Sequence, residues 1–458
     1  MIMKRMGILL AASCLMSGCG IYNRYSRSDM GADIDSLYCA PMVMNDTVTI
    51  ASMPWRELFT DPRLQVLITT GLERNTDLGI ARLQVEETQA TLTNTRLSYL
   101  PSLNLTPQVG VSRYNGETQK TYNFGVTATW EVDIFGKVTN AKRGAAAALE
   151  QSRAYEQAVQ TQLVATIAET YYALLMLDEQ LAISEQTLAN WDETIATLEA
   201  LVEAGKANDV AVHQACASRM ALEASMLTMR KSISEMENSL CALLKEPPHA
   251  VSRGTIDGQY FPDSLSAGVP LQLLANRPDV RQAEAALAEA FYATNSARSA
   301  FYPNLTLSGT LGWTNSGGGS VLNPAKWLSN AVAQLTAPLF NRGTNIANLK
   351  IAKARRQESV LAFEQSLLDA GNEVNDAVTE WQTADGRIRL DKQQISDLEA
   401  ATEKTQLLVR YTSANYLETL TAQQLLLSAR LTLVQDRIAK IQGIIHLYHA
   451  CLLYTSPS

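Results

Sequence analysis

Few residues of this 458-residue chain have the types and spacing needed to bind a metal or a phosphate. His213 and Cys216 lie three residues apart, which suits a metal ion on one helix face, but no third ligand accompanies them. The run 315–320, NSGGGS, has the glycine content of a phosphate-binding loop, yet no Lys-Ser or Lys-Thr pair follows it, so a hairpin loop is favoured. We find no clustered acid, base, nucleophile or metal set, and predict a protein that is not an enzyme and has no metal and no cofactor.

One cysteine, Cys19, lies in a setting that predicts covalent modification. Lys4 and Arg5 precede an apolar stretch, residues 6–16, in the pattern of a secretory signal peptide. The stretch ends in Met-Ser-Gly-Cys at residues 16–19, which resembles the bacterial lipobox, where lipid is attached to the cysteine. We therefore expect an exported protein with a covalent lipid on Cys19. Ordinary signal cleavage beside an incidental cysteine is the alternative.

Composition favours long helices, and it argues against a nucleic-acid-binding protein and against a protein with a transmembrane helix. Charged residues make up 18% of the chain, below the roughly 25% of average soluble proteins, and there are only 14 prolines and 24 glycines. The net charge of −8 argues against a nucleic-acid partner, which normally selects a basic excess. No run of about 18 apolar residues follows the N-terminus, so no transmembrane helix is expected.

The chain is an internal duplication. Leu72 matches Leu274 and Pro101 matches Pro303, both at an offset of 202 residues, and similar matches continue with small insertions. Because a repeated unit sets the architecture, the domain boundaries follow from it. We predict a signal peptide at 1–18, a lipidated N-terminal segment at 19–60, repeat 1 at 61–250, a linker at 251–268, repeat 2 at 269–450 and an atypical tail at 451–458.

Each repeat contains a pattern typical of a membrane-crossing hairpin. Residues 122–132 alternate between apolar or aromatic side chains and small or polar ones, over the 9–11 residues that a transmembrane strand needs. Aromatic residues lie near the strand ends, where membrane-interface girdles form; the candidates are Tyr122, Phe124, Trp130 and Trp313. Hairpins are therefore predicted at about 102–133 and about 304–340. A soluble sandwich strand shows the same alternation and is the alternative.

Each hairpin is followed by a long helical segment. Residues 137–203 contain no proline, and apolar residues recur every seven positions from Ile167 to Val202, which is typical of a coiled coil. At 1.5 Å per residue this helix is about 100 Å long, too long for a compact domain. Gly205 supplies a stop, and Asn208 or Asp209 supplies a cap for a returning helix.

The fold class follows from these parts. It is mainly α with membrane β: internally duplicated long coiled α-helical hairpins plus four transmembrane β-strands per chain. Four strands cannot close a barrel, since about eight is the practical minimum, and open edges cannot face lipid. The sequence therefore predicts an oligomer that shares one barrel.

Three motifs, in order along the chain, resemble those of the outer-membrane efflux protein family (TolC-like). Residues 274–284, L-x-N-R-P-D-V-x-x-A-E, with Phe-Tyr-Pro at 301–303, resemble the family hallmark. Residues 55–62, W-x-x-L-F-x-D-P, and 416–424, Y-L-E-T-L-T-A-Q-Q, are similar to motifs of its lipoprotein branch (NodT-type), which serves resistance-nodulation-division (RND) pumps.

The resemblance implies a homotrimer with a 12-stranded β-barrel continued by a periplasmic α-barrel. Such a channel is the passive exit duct of a tripartite RND efflux system for drugs or other small solutes. Its partners are a periplasmic adaptor (membrane fusion) protein, an inner-membrane RND pump and outer-membrane lipid, and its location is the outer membrane of a Gram-negative bacterium. A type I secretion duct and a non-pore periplasmic coiled-coil protein are the alternatives.

The resemblance also assigns residues. The predicted periplasmic tip, gate and adaptor contacts are Gly205, Lys206, Asn208, Asp209, Ser413, Asn415, Leu417, Glu418 and Thr421. Thr421 stands where the lipoprotein branch often has an acidic residue, so the chain departs from the pattern of that branch at this position. The structural motif residues are Arg277, Pro278, Asp279, Glu284, Pro101 and Pro303. After Ala450 the sequence departs from the family pattern.

Overall fold

The structure is a computed structural model, and it describes residue 25 and residues 53–206, 208–261, 277–314, 326–411 and 416–451. The predicted signal peptide, Cys19, the loop 315–320, Ser413, Asn415 and the tail beyond residue 451 lie outside these residues. The chain divides into two compact units. The first, called the strand unit, comprises Met1–Ala32, Leu83–Ala154 and Arg281–Ser366; the second, called the hairpin unit, comprises Asp33–Arg82, Tyr155–Val280 and Leu367–Ser458.

Helices form most of the described chain. They are α1 (Trp55–Leu58), α2 (Pro62–Arg74), α3 (Thr76–Leu97), α4 (Lys137–Glu203), α5 (Asp209–Leu243), α6 (Pro278–Ser299), α7 (Thr344–Tyr411) and α8 (Tyr416–Cys451), with a 3₁₀ turn at Ile256–Gly258. The strands are β1 (Ser102–Leu105), β2 (Gln108–Tyr114), β3 (Glu117–Val132), β4 (Asn304–Thr314) and β5 (Lys326–Thr336). No helix in the described ranges is long and apolar enough to cross a membrane.

The strand unit is built on one antiparallel sheet. Its order is β1-β3-β4-β5, and β2 pairs with β3 beyond β1 along the same edge. Pro107 lies between β1 and β2 and has no N–H to donate, so the ladder is interrupted there. The sheet therefore has four strand positions, the number predicted from the sequence.

Two strand ends differ from the sequence prediction. β3 begins at Glu117 rather than near Tyr122, because Asn115 and Gly116, both with positive φ (50° and 84°), form a tight turn that pairs Tyr114 with Glu117. An Asn-Gly pair is the strongest short signal for such a turn. β5 ends at Thr336 rather than near residue 340, since Pro338 cannot continue the ladder.

The sheet has one apolar face and one polar face. Rows of directly paired residues on the apolar face include Phe124, Trp313 and Trp327, and next to them Val126, Leu311 and Ser329. On the other face, the Thr127 and Thr310 hydroxyls lie 3.2 Å apart, and Thr314 donates to Asn123 Oδ1 at 2.6 Å. The alternation along β3 and β4 sets the register, because a one-residue slip would reverse both faces.

The long helix α4 begins on a capping carboxylate. Asp133 accepts hydrogen bonds from the backbone N–H groups of Val138 and Thr139 at 2.9 and 2.8 Å, and from the Thr139 hydroxyl at 2.6 Å. These are donors that the first turn of a helix otherwise leaves unpaired.

We expect Asp133→Ala to lower the free energy of unfolding by about 1–2 kcal/mol, because it removes an N-terminal cap with three hydrogen bonds. The midpoint of thermal loss of helical circular dichroism would report it. Glu150→Ala is the matched control, since the Glu150–Arg153 pair is half exposed on both sides and contributes little. Equal midpoints for the two variants would contradict this role of Asp133.

The core of the hairpin unit lies where the long helices meet α1 and α2. Ile167 and Leu174, from the seven-residue repeat, are fully buried with Tyr171, Leu58 and Phe59. The seven-residue spacing therefore marks the packed face of α4, as expected for a coiled coil.

Helices α7 and α8 approach each other closely at Gly443. A Cβ atom there would lie 2.8 Å from the backbone nitrogen of Trp381, closer than real contacts allow. Glycine is required at this position by the close approach of the neighbouring helix backbone.

Candidate functional site

The first hairpin tip is shaped by paired caps. Gly205, with φ of 70°, ends α4 in a Schellman motif: its N–H donates to the Val202 carbonyl at 2.9 Å, and Lys206 N–H donates to Leu201 at 2.8 Å. Asn208 then caps α5, because its Oδ1 accepts from Val210 N–H at 2.9 Å.

Asp209 is not the cap but the first residue of α5, and it is exposed. A carboxylate in the first turn is favourable to the helix dipole. Since its side chain has no capping duty, the negative charge is presented at the tip together with exposed Lys206.

The second tip lies beside the first. Tyr416 begins α8 and donates its hydroxyl hydrogen bond to the Lys206 carbonyl at 3.3 Å. Leu417, Glu418 and Thr421 are all exposed on the first turns of α8. The structure thus brings the described tip residues of both repeats together. Their roles in gating and adaptor contact stay predictions.

The two hairpins are joined by amide side chains behind the tips. Gln423 donates to Thr194 Oγ1 on α4, and Gln424 donates to Ser218 Oγ on α5, both at 3.0 Å. Helix α8 is therefore tied to both helices of the other hairpin.

The family-motif residue Arg277 is a buried clamp with 4% of its side chain exposed. It pairs with Asp279 at 2.7 Å and with Glu373 on α7 at 2.5 Å, and donates to the Ala450 carbonyl at 2.9 Å. Burial lowers the pKa of Arg277, but the two carboxylates outweigh it and raise that pKa, so the side chain stays charged. A cation at the C-terminal end of α8 also suits the helix dipole.

The neighbouring motif residues have backbone roles. Pro278 is the first residue of α6, where its missing N–H costs nothing. Pro101 and Pro303 each lie one residue before a strand, at the starts of β1 and β4. Glu284 is half-buried on α6.

The motif at residues 55–62 is centred on Asp61, whose role was not predicted from the sequence. Asp61 accepts from Tyr171 Oη at 2.5 Å, from Gln259 Nε2 at 2.9 Å, and from Arg63 N–H at 2.9 Å as the cap of α2. Burial raises the pKa of Asp61, but these hydrogen bonds outweigh it and hold the pKa below its usual value. An Asp-Pro pair is a local signal for the start of a helix, but it does not reveal the partner Tyr171, which is 110 residues away.

A second unpredicted cluster joins three helices. His446 on α8 lies 3.2 Å from Glu169 on α4 and 2.8 Å from Glu380 on α7. The hydrogen bond to Glu169, followed by the one to Glu380, raises the pKa of His446 to about 9 against the opposing effect of burial. At neutral pH the imidazolium therefore bridges two carboxylates.

This cluster predicts a pH dependence of stability. The folded pKa of about 9 lies above the ordinary value near 6.5, so the stabilisation is complete below pH 6.5 and is lost as pH rises towards 9. Because about half of the side chain is exposed, we expect a loss of no more than about 1 kcal/mol. Thermal midpoints at pH 6.5, 7.5 and 9 should fall more steeply for the wild type than for His446→Gln. Parallel curves would contradict the bridge.

The predicted strand aromatics lie mostly on the exposed apolar face. Phe124 and Trp313 have ring centroids 6.3 Å apart, and Trp313 and Trp327 are 5.4 Å apart. At the other end Trp130 donates its indole N–H to the Tyr99 carbonyl at 2.9 Å. Tyr122 is buried within the chain, and its place at the membrane interface stays a prediction. Trp327, which the sequence argument did not single out, completes the row.

Within the described residues, no group of three or more His, Cys, Asp or Glu side chains is placed to hold a metal ion. His213 is exposed and Cys216 is half-buried near the first tip. The described part of the chain therefore offers helix-tip surfaces and an apolar sheet face as its candidate sites.

The chain matches the outer membrane efflux protein family over residues 67–245 and 269–451, one match for each repeat. It is 28% identical over 445 residues to the cation efflux system protein CusC of Escherichia coli O6:H1, covering 95% of each chain. It is also 28% identical over 403 residues to the probable outer membrane lipoprotein SilC of Salmonella typhimurium, covering 86% of this chain and 87% of that protein.

The fold is similar to a crystal structure of CusC. The TM-score is 0.85 at 27% identity, over 95% of this chain and 100% of that one. This likeness confirms the predicted fold class, that of the mainly helical outer-membrane channels with a small membrane-type sheet. With both repeats matched by the family and nearly the whole chain by its structures, the chain belongs to the outer membrane efflux protein family.

Proposed function

We propose that this protein is the outer-membrane channel of a tripartite efflux system, a passive exit duct for small solutes. The observation that carries the proposal is the sheet. Its four strand positions expose an apolar face. Among the described residues, the strands at its two edges, β1 with β2 on one side and β5 on the other, each pair with a strand on one side only. Unpaired edges cannot face lipid, whereas three copies of four positions make a closed barrel of twelve strands.

The N-terminus and the tips supply the remaining parts of the proposal. Cys19 carries the lipid anchor, and the relative SilC is named a lipoprotein. The exposed tip residues, among them Lys206, Asp209 and Glu418, meet a periplasmic adaptor, which connects the channel to an inner-membrane RND pump. Metal cations are the first substrates to test, since the relative CusC is named for cation efflux.

A deletion strain tests this function. It would be challenged with copper and silver salts, organic solvents, dyes, bile salts and antibiotics, with and without the gene on a plasmid. We expect the deletion strain to be sensitive to at least one class of compound. The plasmid should restore resistance in this strain, but not in a strain that also lacks the pump. Undiminished resistance to every class, together with loss of a secreted polypeptide, would instead indicate a secretion duct.

Two biochemical readouts accompany the phenotype. The wild-type protein should fractionate with the outer membrane as a heat-modifiable trimer, and Cys19→Ser should abolish its labelling by radioactive palmitate. A monomeric periplasmic protein would contradict the channel.

A further inference from the structure

A cavity of about 230 Å³ lies behind the hairpin tips, between α4, α7 and α8. Glu193 of α4 and Gln406 of α7 are exposed at its rim. Buried Thr419, Leu198 and Leu420 form its floor. All of these residues belong to the hairpin unit, so the cavity is a feature of a single chain.

Two of the hydroxyl groups that line this cavity already donate hydrogen bonds within α4. Thr194 Oγ1 donates to the Asn190 carbonyl and Thr197 Oγ1 donates to the Glu193 carbonyl, both at 2.8 Å. Thr194 Oγ1 in turn accepts from Gln423 Nε2 at 3.0 Å. Each hydroxyl has one hydrogen and two acceptor lone pairs. Since the hydrogens of Thr194 and Thr197 are already used, these two groups can only accept further hydrogen bonds.

Two buried oxygens beside the cavity have no hydrogen-bond partner among the described residues. They are Thr419 Oγ1, on a residue 5% exposed, and Gln423 Oε1, on a residue 7% exposed. Leaving a buried polar atom unpaired costs about 1–3 kcal/mol, so such atoms point to a group that fills the space beside them. Thr419 itself lines the cavity, and Gln423 is bonded to the lining residue Thr194.

The charge and shape of the cavity select a cation. Among the described residues that line it, Glu193 is the one that is charged, and Tyr416 adds an aromatic ring, to which cations are attracted. Drug-sized ligands occupy sites of about 300 Å³ or more, so this smaller space suits a single small group. A positively charged group with N–H donors can pair with the Glu193 carboxylate and donate to the oxygen lone pairs of the lining hydroxyls.

We propose that this cavity binds a guanidinium or primary ammonium group. The group is carried either by a free organic cation or by a basic side chain of a protein that docks at the tips. Glu193 provides the charge at the rim, and the Thr419 hydroxyl provides a buried oxygen in the lining. This site is additional to the duct itself, and its occupancy does not depend on which solute is exported.

Methylguanidinium chloride is the probe, titrated into the purified full-length channel in detergent and followed by saturation-transfer NMR. We expect saturable, millimolar binding to the wild type. Glu193→Gln should weaken it about tenfold or more, because a charge-assisted hydrogen bond is removed. Thr419→Val, which keeps the shape and removes the buried hydroxyl, should weaken it about fivefold. Glu199→Gln, an exposed glutamate on the same helix that does not line the cavity, is the matched control and should bind like the wild type.

A second arm distinguishes the two sources of the cation. The periplasmic adaptor of the same efflux system would be titrated onto the channel with and without saturating methylguanidinium. Displacement of the adaptor, matched by weaker adaptor binding to Glu193→Gln, assigns the site to a basic side chain of the partner. Undisturbed adaptor binding with saturable probe assigns it to a free cation.

The proposal is overturned if the wild type shows no saturable probe binding and Glu193→Gln binds the adaptor normally. Equal probe binding to the wild type, Glu193→Gln and Thr419→Val would overturn it as well. All variants must first run as the heat-modifiable trimer, so that misfolding is not scored as lost binding. Efflux in the deletion strain is measured separately, and its failure would leave these binding results unchanged.

Discussion

Arg277→Ala is expected to remove most of the folded channel from the outer membrane. Arg277 is almost fully buried and joins the start of α6, the Glu373 side chain on α7 and the last turn of α8. Deleting one member of such a buried ionic cluster typically costs 3–5 kcal/mol. Asp279 and Glu373 keep 43% and 49% exposure, so water rehydrates them in part, and we expect about 3 kcal/mol per chain. Since proteins are stable by only 5–15 kcal/mol, this loss lowers abundance severalfold.

The measurement is the amount of heat-modifiable trimer in the membrane fraction and its thermal midpoint. Arg277→Lys should give a trimer yield and a thermal midpoint between those of the wild type and Arg277→Ala, because one ammonium cannot reproduce the forked contact with Asp279. Arg82→Ala is the control, since the Arg82–Glu156 pair is long, at 3.6 Å, and largely exposed. If Arg277→Ala were as stable as Arg82→Ala, the clamp would not hold these helices together.

The sequence predicted this fold best where the physical cause was local or periodic. Helix α4 has the predicted bounds because sixty-seven residues without proline and with a seven-residue apolar repeat leave a helix as the favoured choice. The end of that helix followed from Gly205 as well, since positive φ is a property of the glycine itself. The caps of the first tip were therefore accessible to sequence analysis, except for the choice of Asn208 over Asp209.

Contacts between distant segments were not predictable in the same way. Asp61 meets Tyr171, 110 residues away, and Arg277 meets Ala450, 173 residues away. Nothing in the local pattern distinguishes Tyr171 from Tyr172, because both lie on the buried side of α4. The bridge from His446 to Glu169 and Glu380 needs three helices packed in one register, which a single sequence does not reveal.

Leu311→Arg is the second change for which we expect a large effect, because it places a charge on the apolar sheet face. Leu311 is 57% exposed and pairs with Val126, between the row containing Trp313 and the row containing Trp130. A cation near the middle of a lipid-facing strand costs about 2–4 kcal/mol, and a trimer would carry three. We expect little or no trimer in the outer membrane. Thr310→Arg, one residue away on the polar face, should assemble, because it loses only the hydroxyl contact with Thr127.

A soluble sandwich would also reject arginine at Leu311, so a second substitution separates the two interpretations. In a sandwich the apolar face packs against another sheet at about 10 Å, and Leu311→Trp would overfill that core at a cost of about 1–3 kcal/mol. Against lipid there is no fixed neighbour to displace, and tryptophan is favoured near the membrane interface. We therefore expect Leu311→Trp to yield as much heat-modifiable trimer as the wild type. A Trp variant as defective as the Arg variant would mean that protein, rather than lipid, covers this face.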